Sequence, residues 1–389
     1  MNDLDVLIIG GGIGGMTTAL ALQQRGCRVS VFEQSAEFAE VGAGLTLASN
    51  AMHVMWHLGL KEPMGQFSTL PDHGAIKHYR TGKHLVDIAR GNTQIEKYGA
   101  PFCVAHRADV HDTLVDAVRV NDNQAIHLGR EFVNLDQHNG CVIARFSDGS
   151  ESRGNLLIGC DGMKSDVRNR LFQTESPQFT GYVAWRGLVP MDHLDPDVVV
   201  PDTAMYIGPG HFLTRYPVNS RTRLNYVAVA HTQRWETESW TVRSDVAELK
   251  DEFREFAPAV QQIIRATPPE LCYKWGLFDR EPLPEWSRGH ATLAGDAAHP
   301  MLPFLGQGAA MAIEDAMLLA RAIEAANTIE EAFERYELAR RERTTFVMLK
   351  SRISGQRLTS ANPDDYDSSR HQNEETLNLS DYNPVTASV

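Results

Sequence analysis

The beginning of the chain alternates between an apolar run, a helix-forming stretch and a second apolar run. Residues 4–9 are apolar apart from Asp5, which is typical of a parallel strand covered on both faces. Residues 13–25 carry helix formers up to a stop at Gly26, and residues 28–32 form the next apolar run. The pattern therefore predicts a strand–helix–strand unit.

Glycines occupy the turn between the first predicted strand and the first predicted helix. Gly10, Gly12 and Gly15 have the spacing that permits a tight turn, close approach of a diphosphate and close packing of helix on strand. Glu33 follows the second strand, where a carboxylate can accept hydrogen bonds from ribose hydroxyls. We predict a dinucleotide-binding turn; the alternative is a turn without nucleotide, with Glu33 as a solvated strand end.

The middle of the chain has a different pattern. Short β-rich runs separated by turns fill residues 181–275 and predict an antiparallel sheet. Along the predicted strand 211–218, His211 and Arg215 share one face and Tyr216 points to the other, because side chains alternate along a strand. The further predicted elements are a strand at 152–160, helices at 246–266, 309–325 and 330–348, and a strand at 291–294.

Composition excludes several classes of protein. The chain has 389 residues, 42% of them hydrophobic, which suffices for two domains or one large one, and its net charge of -13 disfavours nucleic acid. The five cysteines are scattered without a Cys-x-x-Cys pair, so we expect neither disulfides nor a metal site, and a reduced cytoplasm. No apolar run approaches the roughly 20 residues of a membrane span, and we expect no signal peptide.

A second glycine-containing segment lies near the end of the chain. Gly295-Asp296 follows a predicted strand, and Gly306-Gln307-Gly308 precedes a predicted helix. Free N–H groups and the positive end of the helix dipole at such a site stabilise negative charge on a reduced flavin. Together with the first glycine motif, this segment predicts FAD as the cofactor.

In these motifs the chain resembles the single-component FAD-dependent aromatic hydroxylases, such as the salicylate, hydroxybenzoate and hydroxynicotinate monooxygenases. The resemblance covers residues 4–350 and rests on three motifs: Gly10-x-Gly12-x-x-Gly15, Gly159-Cys160-Asp161-Gly162, and Gly295-Asp296 with Pro303 and Gly306-Gln307-Gly308. It implies an α/β fold in which a Rossmann-like FAD-binding domain carries an inserted antiparallel β-sheet substrate domain and C-terminal helices.

The domain boundaries follow from combining the resemblance with the pattern. We expect the FAD-binding domain to be discontinuous and the acidic C-terminal residues to be irregular and solvated, since residues 361–389 carry six acids against one arginine. The predicted domains are 1–72, 100–180 and 276–350 for FAD, 73–99 and 181–275 for the substrate, and 351–389 for the C-terminal extension.

The resemblance also implies individual roles at the cofactor. Glu33 takes the adenosine ribose, Arg107 approaches the diphosphate or ribitol, and Asp296 accepts from the ribitol. The loop from Pro303 to Gly308 lies along the isoalloxazine at the reacting centre. Asp161 supports both the FAD fold and transient docking of NADH or NADPH.

In the reaction that the resemblance implies, NAD(P)H reduces FAD, O2 adds at the flavin C4a, and the resulting hydroperoxide attacks a phenolic or hydroxypyridine ring. Such attack needs a base near the ring hydroxyl. His211 is our candidate, since imidazole titrates near neutral pH. Related hydroxylases often place a tyrosine four residues later, where this chain has Arg215, whose guanidinium would favour a carboxylated ring.

Both residues also fit plain structural roles, as a satisfied sheet histidine and a surface ion pair. A register slip of one residue would turn them away from the ring and bring Phe212, Thr214 and Tyr216 to it instead. We expect a small aromatic substrate, no nucleic acid, no integral membrane segment and either a monomer or a homodimer.

Three other interpretations stay open. A flavin-dependent halogenase shares the FAD domain, and the segment beginning Trp185-Arg186-Gly187 partly matches its Trp-x-Trp-x-Ile-Pro motif, but Gly187 stands where the second Trp is required. A simple NAD-dependent dehydrogenase would leave Gly295-Asp296 unexplained. A noncatalytic FAD-binding protein is the third interpretation.

Overall fold

The computed structural model describes residues 3–38, 43–232, 242–359, 362–366 and 371–389. The architecture is mixed α/β with C-terminal helices, which confirms the predicted fold class. The strands are β1 (Asp5–Ile9), β2 (Arg28–Phe32), β3 (Gly44–Leu47), β4 (His73–His78), β5 (His84–Ala89), β6 (Cys103–His106), β7 (Ile126–His127), β8 (Phe132–His138), β9 (Cys141–Phe146), β10 (Glu151–Gly154), β11 (Leu156–Gly159), β12 (Gln178–Pro190), β13 (Thr203–Gly208), β14 (His211–Val218), β15 (Arg223–His231), β16 (Val242–Arg243), β17 (Tyr273–Asp279), β18 (Ser287–Arg288) and β19 (Ala291–Leu293). The helices are α1 (Ile13–Gln23), α2 (Ser49–His57), α3 (Lys61–Gly65), α4 (Asn92–Tyr98), α5 (Arg107–Asn121), α6 (Asp166–Leu171), α7 (Val246–Glu252), α8 (Pro258–Arg265), α9 (Gly308–Ala325) and α10 (Ile329–Leu358).

A six-stranded sheet carries the predicted strand–helix–strand opening, which the structure confirms. The strand order is β18-β19-β11-β1-β2-β7, and β1 pairs in parallel with both β11 and β2. Strand β19 is parallel to β11. Because parallel strands end at the same edge of a sheet, the residues that follow them, Gly10, Glu33, Cys160 and Ala294, all lie along one edge.

The eight-stranded sheet has the order β16-β17-β12-β15-β14-β13-β4-β5 and is antiparallel except between β13 and β4. Its two faces differ in what they pack against. The helix face contacts α7 and α8 through residues such as Trp185 and Leu213. The loop face contacts the turn Pro303–Leu305 through residues such as Phe212, whose ring centroid lies 5.7 Å from that of Phe304.

Two predicted elements are each divided in two. The predicted strand 152–160 consists of the end of β10 followed by β11, and the two pieces pair in different sheets. Asn155 marks the break, and its side chain accepts a hydrogen bond from the Asp5 N–H at 2.7 Å. The predicted helix 246–266 consists of α7 and α8, because Pro258 at the start of α8 lacks the N–H that a continuous helix requires.

The C-terminal segment packs against the rest of the molecule, so the prediction that it is solvated is wrong for its described residues. Helix α10 continues to Leu358. Glu374 forms a buried ion pair with Arg90, and Leu379 is only 1% exposed. Glu375 also has a basic partner, since its carboxylate lies 2.7 Å from the Lys97 ammonium.

Helices α9 and α10 share a cluster of fully buried charges. Arg340 donates to Asp315 at 2.7 Å and also to Glu314. Arg343 donates to both carboxylate oxygens of Glu314 at 2.8 Å. The backbone N–H of Gly295 donates to Asp315 at 2.8 Å, so the third glycine motif is held by the same cluster. Buried charges are tolerated here because each one has opposite charges and hydrogen bonds around it.

His299 is also part of this buried charge cluster, since its Nε2 contacts the Asp315 carboxylate. Burial by itself raises the pKa of Asp315, but the charges of His299 and Arg340 outweigh this effect and lower it to about 2. The ionised carboxylate therefore stabilises the fold above the ordinary pKa of 3.8. This contribution is lost as the pH falls from 3.8 towards 2.

Replacing Arg340 by leucine should lower the free energy of unfolding by about 3–5 kcal/mol, because Glu314 and Asp315 would stay buried and lose the cation that they share. Urea unfolding at neutral pH measures the change. Arg254→Leu is the matched control, since Arg254 pairs with Asp251 on the exposed surface. Its loss should cost no more than about 1 kcal/mol. Equal effects of the two substitutions would contradict the central role of the cluster.

Candidate active site

The three glycine-containing motifs meet at the carboxyl edge of the six-stranded sheet. A Cβ on Gly10, whose φ is +103°, would lie 2.4 Å from the carbonyl oxygen of Cys160, so glycine alone permits this contact. A Cβ on Gly14 and one on Gly295 would lie 3.2 and 3.1 Å from the Cβ of Ala312 in α9. Helix α9 therefore contacts the first and the third motif at once.

The first motif fits a diphosphate. A Cβ on Gly12 would meet no atom within 4 Å, so the backbone there faces open space. Helix α1 begins directly after Gly12 with no side-chain cap and no acidic residue in its first turn. Its first N–H groups and positive dipole end are thus directed at a place that an anion can occupy.

The predicted ribose ligand Glu33 lies at the end of β2 beside this turn. Its carboxylate accepts hydrogen bonds from the N–H groups of Gly11 at 2.8 Å and Ser35 at 2.9 Å. The buried His111 donates through Nε2 to the Gly11 carbonyl at 2.6 Å from the other side. The sequence carried no signal for His111, because it lies inside α5 and far from the motif along the chain.

Asp296 and Arg107 lie near each other at the same edge. The Asp296 side chain is accessible to solvent, yet the surrounding protein raises its pKa by desolvation, partly offset by the charges of His299 and Arg107. Among the described residues no donor forms a hydrogen bond with this carboxylate. An accessible acceptor with no donor of its own in the described part of the chain fits a ribitol hydroxyl. Arg107 is the exposed first residue of α5, as predicted for a residue at a helix start.

The loop between Asp296 and α9 combines accessible and anchored positions. Pro303 begins a short 3-10 turn and is exposed, and Gly306 has a φ of +64°. The buried Gln307 side chain accepts from Asn50 at 3.2 Å. Helix α9 starts at Gly308 without a side-chain cap or an acidic residue in its first turn, so its N–H groups are available to a flavin carbonyl.

Asp161 has a structural use in this chain. Its carboxylate accepts from the Ser165 hydroxyl at 2.5 Å and from the Val167 N–H at 3.0 Å, which holds the start of α6. The fully buried Arg168 of α6 then donates to the Ala297 carbonyl at 3.0 Å. Asp161 thus links the second motif to the third through α6.

The predicted roles of His211 and Arg215 at the ring require a correction. Both lie on the helix face of the sheet, away from Pro303, because Leu213 between them packs on α7 and α8. His211 contacts Glu252 of α7 through Nε2 at 2.6 Å and donates through Nδ1 to the Pro209 carbonyl at 2.6 Å. Burial lowers the pKa of His211, but the bonds to Glu252 and Pro209 outweigh this effect and raise it.

Arg215 is fully buried and holds a neighbouring loop. Its guanidinium donates to the carbonyls of Val199 at 3.2 Å, Asp202 at 2.9 Å and Pro201. Burial lowers the pKa of Arg215 to about 10, so the group stays charged at neutral pH. Neither His211 nor Arg215 can therefore reach a ring that lies against the loop face.

One row of directly paired residues on the loop face is partly open to solvent. Arg186 pairs with Val227, Val227 with Thr214, and Thr214 with Met205. All four are half-exposed, whereas the neighbours of Val227 and Thr214 along their own strands are buried. Val227 and Met205 pack against the apolar cluster that contains Leu302 and Phe304, so the row lies beside the loop that begins at Pro303.

Tyr216 and Asn225 form the directly paired position next to this row. The Tyr216 ring is buried among apolar residues, its hydroxyl has no hydrogen-bond partner among the described residues, and burial raises its pKa. The Asn225 side-chain oxygen accepts from the Gly44 N–H at 2.7 Å, and its buried amide nitrogen has no partner in the part of the chain that the structure describes. Tyr216 lies on the same face of β14 as Phe212 and Thr214, the residues that the alternative prediction brings to the ring.

Comparison with known proteins identifies the family. A model described as FAD binding domain matches residues 3–351. The chain is 33% identical to 6-hydroxynicotinate 3-monooxygenase of Pseudomonas fluorescens over 88% of its length and 89% of the relative's. This chain belongs to the FAD-dependent aromatic hydroxylase family. It is also 34% identical to 3-hydroxybenzoate 6-hydroxylase of Polaromonas naphthalenivorans, over 91% of this chain and 88% of the other.

Solved structures agree with this family assignment. HpxO of Klebsiella pneumoniae, complexed with FAD and uric acid, superimposes with a TM-score of 0.86 and 27% identity over 97% of this chain and 95% of that one. A substrate complex of salicylate hydroxylase superimposes with a TM-score of 0.82 and 25% identity, over 98% and 96% of the two chains. These comparisons support a monooxygenase and give no support to a halogenase. A Trp at position 187 would also lack space, because even a Cβ on Gly187 would lie 2.6 Å from the Tyr226 ring.

Gly12→Ala should abolish or strongly weaken FAD binding while leaving the fold intact, because the added methyl meets no protein atom but occupies the space before the α1 N-terminus. Flavin absorbance after purification and urea unfolding of the cofactor-free protein measure the two effects. Gly65→Ala is the control, since a Cβ there also meets no atom within 4 Å. Normal FAD content in the Gly12 variant would show that the diphosphate does not bind before the α1 N-terminus.

Proposed function

We propose that this hydroxylase acts on a small phenolic or hydroxypyridine ring that carries a carboxylate, with NADH or NADPH and O2 as co-substrates. The observation that carries the proposal is the partly exposed row on the loop face, which lies beside the Pro303 loop, contains the cation Arg186 and has the phenol of Tyr216 in the next paired position. The relatives named above act on 6-hydroxynicotinate and 3-hydroxybenzoate, and both are hydroxylated rings with a carboxylate.

Arg186 is the proposed anchor for the carboxylate. Its guanidinium lies over the rings of Tyr273 and Trp275, 5.4 and 5.5 Å from their centroids. Stacking of this kind holds the planar fork in one orientation, and a pre-oriented fork suits bidentate contact with a carboxylate. Arg186 takes the role that the sequence had suggested for Arg215.

Tyr216 is the proposed contact of the ring hydroxyl. Because burial raises its pKa, Tyr216 stays neutral and keeps the proton on its own hydroxyl. It can therefore donate a hydrogen bond to the substrate's oxygen and stabilise the ionised form of the ring that is reactive towards electrophilic oxygen. The amide nitrogen of Asn225 is a second donor beside it.

When bound, FAD supplies the redox chemistry and the oxygen transfer. Gly12 and the α1 N-terminus would hold its diphosphate, Glu33 its ribose, and Asp296 its ribitol. The N–H groups at Gly308 would stabilise negative charge on its pyrimidine side. The loop from Pro303 would separate the reacting ring from bulk water, which such chemistry requires.

We also propose a cytoplasmic location, in keeping with five cysteines that are all unpaired. In the described part of the chain, no helix combines the length and the apolar character needed to cross a bilayer.

Arg186→Leu should raise the dissociation constant of a carboxylated substrate by roughly one to two decades, because a charge-assisted contact is lost, and leave a neutral phenol nearly unaffected. The measurement is a panel of hydroxybenzoates, hydroxypyridine carboxylates and the corresponding neutral phenols, scored for NAD(P)H oxidation together with hydroxylated product. If wild-type protein with bound FAD forms no hydroxylated product from any member of the panel, the proposed substrate class is wrong. If the dissociation constants of carboxylated and neutral rings rise equally, Arg186 does not bind the carboxylate.

Tyr216→Phe should lower the rate of hydroxylation by about 10² to 10³-fold, the usual cost of one lost donor to a developing oxyanion, with FAD content unchanged. Single-turnover product formation from the best substrate of the panel measures this effect. His211→Phe is the matched control on the same strand. It should cost stability through the lost Glu252 contact and leave the chemical rate within a few-fold. If His211→Phe lowers the rate of hydroxylation more than Tyr216→Phe does, His211 and not Tyr216 is the catalytic residue.

A further inference from the structure

His111 is a buried histidine that lies against the first glycine motif. It is only 1% exposed, and its Nε2 donates to the Gly11 carbonyl at 2.6 Å. Its other ring nitrogen, Nδ1, is also buried and has no hydrogen-bond partner among the described residues. The bond to Gly11 is therefore the one use that the described part of the chain makes of this polar ring.

The polarity of the His111 ring adds little to the stability of the fold. One hydrogen bond contributes about as much free energy as an unpartnered buried nitrogen costs, so the two effects nearly cancel. An apolar side chain of similar size would fill the same place beside Phe38, whose ring centroid lies 4.8 Å from that of His111. The reason for a histidine at this position therefore lies in what its hydrogen bond does to Gly11.

The hydrogen bond from His111 fixes the orientation of the peptide that joins Gly11 to Gly12. This peptide is trans, like nearly all peptide bonds without proline. The C=O and the N–H of a trans peptide point in opposite directions. A Gly11 carbonyl that is held by His111 therefore turns the Gly12 N–H to the opposite side. Gly12 faces open space, since a Cβ there would meet no atom within 4 Å.

The peptide before Gly11 is held by a different partner. The Gly11 N–H donates to the Glu33 carboxylate at 2.8 Å. A Cβ on Gly11 would lie 3.0 Å from the Phe38 ring and 3.1 Å from the Cβ of Glu33, so glycine fits closely here. Because glycine itself permits many backbone conformations, the two hydrogen bonds decide how its two peptides are turned. Glu33 orients the first peptide and His111 the second.

Helix α5 brings a second basic side chain to the same side of the turn. Arg107 precedes His111 by four residues, so the two lie on one face of the helix, one turn apart. Arg107 is exposed, whereas His111 is buried. The helix thus supplies a cation at the surface and a hydrogen-bond donor beneath it.

We propose that His111 is a positioning residue for the FAD diphosphate. By holding the Gly11 carbonyl, it directs the Gly12 N–H at a phosphate oxygen in the space before the N-terminus of α1. The proposal rests on the proposed place of the diphosphate and goes beyond it, because it assigns the orientation of that donor to a buried residue of another helix. It is independent of which ring the enzyme hydroxylates.

Three substitutions separate the hydrogen bond of His111 from its volume. His111→Gln places an amide nitrogen near the position of Nε2, where it can donate to Gly11, whereas the shorter side chain of His111→Asn places it near Nδ1. His111→Leu removes the donor altogether. Equilibrium dialysis of the FAD-loaded full-length protein measures the dissociation constant of FAD. This constant should rise roughly tenfold to a hundredfold in His111→Leu and His111→Asn, and stay within about threefold of the wild type in His111→Gln.

His53→Leu is the matched control, because His53 of α2 makes the same kind of bond, from Nε2 to the Tyr98 carbonyl at 2.8 Å. It should leave the dissociation constant of FAD unchanged. An equal rise in His53→Leu and His111→Leu would overturn the proposal, since the loss would then be a general one.

The comparison of His111→Gln with His111→Asn decides the matter even if His111→Leu does not fold. Equal dissociation constants of FAD in these two variants would overturn the role of His111. Normal FAD content in Gly12→Ala would overturn the place of the diphosphate instead. The failure of this proposal can therefore be told apart from the failure of the one on which it rests.

Discussion

The buried charge cluster around Arg340 is the interaction on which the rest of this structure depends. Transferring Glu314, Asp315 and Arg340 out of water is costly, and the cost is offset only when α9, α10 and the Gly295 segment are all in place. Hydrophobic contact alone would tolerate several ways of packing two helices. The buried charges can be paired in only one arrangement of the two helices. That arrangement places Asp296 and the start of α9 at the carboxyl edge of the six-stranded sheet.

The chemistry depends in turn on which face of the large sheet meets the Pro303 loop. Helices α7 and α8 cover one face, and His211 and Arg215 satisfy their polar groups there with Glu252 and backbone carbonyls. Tyr216 and Arg186 lie on the opposite face of the sheet, which faces the Pro303 loop. Because side chains alternate, a single residue of register separates the structural His211 from the face that carries Tyr216, the proposed contact of the substrate.

Helix α10 connects these features to the molecular surface. Its inner side supports the Pro303 loop through Ser351 and Gly355 and the third motif through Arg340. The C-terminal segment adds to this support, since Arg343 donates to the Leu379 carbonyl at 3.3 Å and lies 3.9 Å from the centroid of the Tyr382 ring. The inner side of α10 therefore helps to shape the site.

The sequence by itself determined the FAD-binding fold and its three motifs, because glycine spacing and acids after strands are local signals with a direct physical cause. It also identified the alternation along 211–218, but alternation defines two faces without saying which one meets the cofactor loop. Only the packing of α7 and α8 on one face decided that. The buried cluster was equally hidden, since charged residues are ordinarily exposed and His299, Asp315 and Arg340 have no periodic relation along the chain. Glu374 and Glu375 were expected to be solvated for the same reason, and only the tertiary structure supplied Arg90 and Lys97, the bases that pair with them.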